Sequence, residues 1–151
     1  MTHSLGGILV RHFLSARNLD HLGRVVMLGP PNKGSHVVDL LREMPGYELI
    51  NGPAGLQLGT EASSVPNVLG PATFEVGIIA GDKSINLILS TMLANPDDGK
   101  VSVESTKLQG MSDHIVLPVT HPLMMRDREV ISQTLHFLQS GMFKRTNKPD
   151  T

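Results

Sequence analysis

The chain has 151 residues, a formal net charge of -1, 40% hydrophobic and 18% charged residues, enough apolar material for one packed domain and too much for a disordered one. Near-neutral charge and 3% aromatics, with no Trp, argue against a nucleic-acid or anionic-membrane surface, which needs a basic field or stacking platforms. The absence of Cys excludes disulfides, thiolate metal sites and a thiol nucleophile.

No signal-peptide pattern is visible at the N-terminus, so a cytoplasmic location is favoured while the true compartment stays open. No apolar run reaches the roughly 18 residues that span a bilayer. Leu5 to about Leu19 reads as a helix, with Leu5, Ile8, Leu9, Phe13 and Leu14 on its apolar face. Gly6 and Gly7 in its first turn point to close backbone packing. Arg24–Leu28, closed by Gly29-Pro30-Pro31, is a short apolar run suited to a strand buried on both faces. Ser35 is placed to cap a second helix with Val37, Val38, Leu40, Leu41 and Met44 inward.

Pro45–Thr73 is rich in Pro and Gly and reads as a long irregular excursion, a candidate lid or pocket segment. Phe74–Ala80 is the second strand, ending at Gly81-Asp82, and Ile85–Leu93 reads as a short helix. Pro96-Asp97-Asp98-Gly99 is a turn, followed by a short extended piece over Val101–Val103. His114–Val119 is the third strand, closed by Thr120-His121-Pro122. Asp127–Gln139 is the last helix, with Val130, Ile131, Leu135 and Leu138 inward and acidic residues in its first turn. Alternating strands and helices predict an α/β fold with about three parallel strands flanked by helices.

The sharpest chemical signal is Thr2-His3-Ser4-Leu5-Gly6. It matches x-x-S-x-G, the turn that carries a nucleophilic serine from a strand into a helix, with Thr in place of the usual first Gly. In that reading Ser4 is the nucleophile and the Leu5 N–H one donor to the oxyanion. The competing reading has Ser4 as a simple N-cap. A serine hydrolase of this kind needs an acid and then a His later in the chain. His121 lies after the third strand and before the last helix, where ligand sites of open α/β sheets gather. Asp98, in a D-G-x-V turn, is favoured as the acid, with Asp82 at a strand end as the alternative. His3 is expected to pack or hydrogen-bond beneath the turn. The other histidines read as structural, no pair has metal-ligand spacing, and neither a metal nor a cofactor is expected. Gly29–Ser35 lacks phosphate-loop spacing.

These stretches together resemble the bacterial α/β-hydrolase serine esterases and lipases. The likeness is carried by Thr2–Arg11, by Val25–Ser35 and by Asp98–Val103 with His121 downstream. It implies a partial α/β-hydrolase domain over residues 1–151, its N-terminal strands missing, with Ser4 as nucleophile, Asp98 as acid, His121 as base and Leu5 in the oxyanion hole. The implied substrate is a small-molecule or lipid carboxylic ester, cleaved through an acyl-enzyme. An acyltransferase or thioesterase with the same residues, and a non-catalytic fragment or interaction module, are the alternatives. If the domain starts at the turn, an exposed sheet edge favours self-association, and weak or absent catalysis is expected because the second oxyanion donor is missing.

Overall fold

The computed structural model describes residues 1–41, 57–84 and 96–145. Four parallel strands form one sheet in the order β1-β2-β3-β4: β1 (Thr2–His3), β2 (Val25–Leu28), β3 (Val76–Gly81) and β4 (Asp113–Leu117). The helices are α1 (Leu5–Ser15), α2 (His36–Leu41), α3 (Val65–Val68), α4 (Val103–Thr106) and α5 (Arg128–Ser140), with a 3₁₀ helix over His121–Arg126. The chain is therefore α/β with strands in parallel. The strand beyond the expected three is β1, whose two residues are too few to show any period in the sequence.

The apolar strands separate two cores by simple alternation. Val26 and Leu28 of β2 and Ile79 of β3 face one layer with Met124, Val130, Phe137 and Phe143. Val25, Met27, Val76 and Ile78 face the other, with Leu108, Val10 and Phe74. Burial on both faces explains why β2 and β3 read as continuous hydrophobic runs. Phe137 is fully buried against the first layer, a contribution of about 1.5–3 kcal/mol from its side chain alone.

Helix ends follow local chemistry. The Asp127 side chain accepts from Glu129 N and Val130 N, so α5 begins after it, and Gly141, in the left-handed region at φ 80°, closes it. α1 ends at Ser15 rather than near Leu19, where Asn18, Asp20 and Gly23 are poor helix formers. Val101–Val103 is not extended throughout. Ser102 caps α4, accepting from Ser105 N, so Val103 opens a helical turn. Ser35 precedes α2, and its hydroxyl donates to Lys100 O at 2.9 Å.

Several faces differ from the periodic reading. Leu9 and Phe13 on α1, Leu40 on α2, and Ile131 and Leu135 on α5 are exposed. The inward positions include Gly7, Ile8 and Arg11 on α1, and Val130, Gln133, Thr134 and Phe137 on α5. Two of the polar ones, Gln133 and Arg11, are admitted because partners wait for them. Gln133 donates to Glu129 Oε1 and Lys144 O and accepts from Lys144 N. Arg11 donates to Asn32 O and Oδ1, Pro66 O and Gly70 O.

The described part of the Pro45–Thr73 excursion holds the α3 turn and is tied to α1 by Arg11 through Pro66 and Gly70. The expected inward positions Leu41 and Met44, the start of the excursion and the Ile85–Leu93 helix lie outside the described residues or side chains. No helix among the described residues is long and apolar enough to cross a membrane.

Candidate active site

Ser4 sits between β1 and α1 with φ 54° and ψ -127°. It is the one non-glycine residue with positive φ among the described residues. Such a conformation costs on the order of 1–3 kcal/mol and persists only where surrounding structure enforces it. Ser4 N donates to Leu28 O at 2.9 Å and Ser4 O accepts from Gly7 N at 3.0 Å, which pins both ends of the turn. The Ser4 hydroxyl makes no capping hydrogen bond, so the N-cap reading does not account for it. Leu5 opens α1, and the first N–H groups of a helix have no intrahelical acceptor.

The close crossing at this turn explains its small residues. A Cβ on Gly6 would lie 3.4 Å from Thr2 Cβ, and one on Gly7 would lie 2.9 Å from Pro30 Cβ.

Asp98 and His121 come together at the same end of the sheet. His121 Nδ1 and Asp98 Oδ2 are 2.7 Å apart, with the side chains 3% and 0% exposed. The other carboxyl oxygen of Asp98 accepts from Lys100 N and Val101 N at 3.0 and 2.8 Å, the D-G-x-V turn folding back on its own backbone. His121 N donates to Asp98 O at 2.9 Å. The second ring nitrogen, Nε2, is buried and has no hydrogen-bond partner among the described residues. Asp82, the alternative acid, follows β3 directly, and its N–H donates to Leu117 O; none of its hydrogen bonds reaches His121. Asp97 Oδ1 accepts from Gly99 N.

One residue of the site escaped the sequence reading. Gly29, with φ +51°, ends β2 beneath the pair, where a Cβ would lie 3.0 Å from both Asp98 Oδ2 and His121 Nδ1. A glycine directly after a buried strand was the available signal. His3 places Nε2 3.1 Å from the carbonyl oxygen of His121, with the two rings 4.7 Å apart. Burial first, then the neighbouring His121, lowers the pKa of His3. His3, expected from the sequence to pack or hydrogen-bond beneath the turn, has the backbone and ring of His121 as its partner.

Solved structures with the same architecture include the mature form of the Bacillus licheniformis lipase BlEst2, with a TM-score of 0.65 and 18% identity over 90% of this chain and 63% of that one. The propeptide form of the same lipase has a TM-score of 0.67 and 20% identity over 99% of this chain and 36% of that one. The phospholipase PlaB from Legionella pneumophila has a TM-score of 0.67 and 18% identity over 94% and 43%. The chain carries a partial α/β-hydrolase fold. It spans between 36% and 63% of the lengths of these lipases. No family model and no curated protein matches it by sequence.

In the α/β-hydrolase fold the nucleophile turn comes first along the chain, then the acid, then the histidine. Ser4 at the end of β1, Asp98 in the loop after β3 and His121 after β4 follow that order. The other histidines do different work. His114 Nε2 donates to Thr106 Oγ1 at 2.9 Å, since that hydroxyl gives its own proton to Val103 O. Burial lowers the pKa of His114.

Proposed function

We propose that the chain is a serine hydrolase of carboxylic esters, with Ser4 as nucleophile, His121 as base and Asp98 as the acid that orients it. The observation that carries this reading is the buried Asp98–His121 hydrogen bond, 2.7 Å long, at the sheet end where Ser4 is held in a positive-φ turn.

The Asp98 carboxyl fixes the proton of His121 on Nδ1, which leaves Nε2 with its lone pair free to take the serine proton. Ser4 Oγ then attacks the ester carbonyl. The resulting tetrahedral oxyanion takes a hydrogen bond from Leu5 N–H, aided by the α1 dipole. Collapse expels the alcohol, which receives the proton from His121, and leaves an acyl-Ser4. Water, deprotonated by His121, attacks the acyl carbon; the acyl–Oγ bond breaks, Ser4 Oγ takes the proton back from His121, and the carboxylic acid leaves. In the same reading residues 57–73 form a wall of the acyl pocket, held to α1 by Arg11 through Pro66 and Gly70.

The lipase and phospholipase names of the structural neighbours favour a lipid or other carboxylic ester over a peptide. Hydrolysis of a short p-nitrophenyl ester, followed at neutral pH in the wild type and in Ser4→Ala and His121→Ala, tests the reading. Loss of turnover in both variants supports it. Turnover that survives Ser4→Ala rules it out.

A further inference from the structure

His3 touches the backbone of His121 as well as its ring. A carbonyl oxygen only accepts, so the 3.1 Å contact between His3 Nε2 and His121 O requires the proton on Nε2. Both peptide groups flanking the His121 side chain are thereby held: its N–H by Asp98 O and its C=O by His3. The two strands concerned are far apart in the sheet. β1 and β4 are the outer strands, with β2 and β3 between them. The turn after β4 must therefore reach back over the strand ends, and the His3 bond, spanning 118 residues of sequence, fastens its far end.

His3 is also covalently next to Ser4. One hydrogen bond and one peptide link thus connect the His121 backbone to the Ser4 backbone. The groups that face the His3 ring are His121, Asp98 and Lys100; His121 and Lys100 oppose a charge on it, and burial does so more strongly. A neutral His3 also avoids a second positive charge beside an imidazole that must become imidazolium during turnover.

We propose that His3 is a positioning residue that sets His121 relative to Ser4 through its Nε2–H bond to the His121 carbonyl. This rests on the reading of Ser4, Asp98 and His121 as the catalytic set. The opposing view is that the ring merely fills space, and two substitutions separate these. His3→Phe keeps an aromatic ring and loses the donor, whereas His3→Gln loses the ring and keeps an N–H.

Three measurements on the 151-residue chain decide. In the wild type, a scalar coupling across the hydrogen bond, between His3 Nε2 and the His121 carbonyl carbon, is expected by NMR, and its absence overturns the proposal without any variant. Solvent exchange of the His121 Nδ1 proton should quicken about tenfold in His3→Phe, the worth of one ordinary hydrogen bond, and return to within about threefold of wild type in His3→Gln. The rate at which a fluorophosphonate acylates Ser4 should follow the same pattern, falling about tenfold in the Phe variant. Equal exchange and labelling in His3→Phe and wild type would overturn the proposal, as would loss in both variants alike. If Ser4 resists labelling in the wild type while the coupling and exchange pattern hold, the catalytic reading fails and the anchoring of His121 by His3 stands.

Discussion

The ring of His121 and the carboxyl of Asp98 meet across 23 residues of chain at 2.7 Å, with both side chains shielded from solvent. The same carboxyl is held on its other oxygen by two backbone N–H groups, so it cannot turn without breaking three hydrogen bonds. Asp98→Asn would present either an amide NH₂ or a weaker acceptor to Nδ1 and favour the wrong tautomer. Ester hydrolysis should fall about ten-thousandfold, while Asp82→Asn stays close to wild type. Steady-state kinetics on a p-nitrophenyl ester measure both; the reverse ranking would move the acid to Asp82.

Gly29 is the floor of that pair. Alanine there must hold φ +51° and place its methyl 3.0 Å from Asp98 Oδ2 and His121 Nδ1. The conformational cost is about 1–2 kcal/mol, and relief of the contact separates Asp98 from His121. Gly29→Ala should therefore lower the unfolding midpoint modestly and hydrolysis severely. Thermal unfolding beside kinetics at a temperature where the variant is folded checks this; full activity in a folded variant contradicts it.

Arg11 is 4% exposed, and its guanidinium is satisfied by the carbonyl oxygens of Asn32, Pro66 and Gly70 and the amide oxygen of Asn32. Arg11→Met would leave those acceptors buried without donors. A loss of about 3 kcal/mol in urea unfolding is expected. Arg11→Lys should not restore it, because one ammonium cannot span acceptors that a planar fork reaches.

Arg11 also marks the limit of what the sequence discloses. The order of a serine turn, a D-G-x-V turn and a late histidine is written along the chain as short local patterns, and the histidine also follows a strand that a hydrophobic run announces. The inward face of a helix is not, because it depends on what waits opposite. On α1 the periodic apolar residues Leu9 and Phe13 face outward, while Arg11 turns in to carbonyls supplied by a segment more than fifty residues away. On α5 the same occurs with Gln133, whose partner is the chain beyond the helix. β1 was invisible for another reason, having only two residues. Both Asp98 and Asp82 lie in plausible turns, so the hydrogen bond from His121 to Asp98 could not be read from the sequence.

Stability should fall as pH drops below the ordinary histidine pKa of 6.5. Burial lowers the folded-state pKa of His3 and His114, so between that value and their lower folded values the unfolded chain binds more protons, and unfolding gains ground as pH falls. His114→Gln should flatten this dependence. A second loss comes lower. The Asp113 pKa is depressed chiefly by Arg145, so its stabilisation is present above the unfolded value of 3.8 and disappears as pH falls through the lower folded value. Denaturant midpoints across pH, with His114→Gln and Asp113→Asn, separate the two ranges; a midpoint flat from pH 7 to 5 would contradict the first.

The most direct test of the catalytic reading is the site of covalent modification by an alkyl fluorophosphonate, read by mass spectrometry of the intact chain and its peptides. A single adduct on Ser4, absent in Ser4→Ala and strongly slowed in His121→Ala, is the predicted result. Modification at another residue, or labelling of Ser4 at the same rate without His121, would contradict the account.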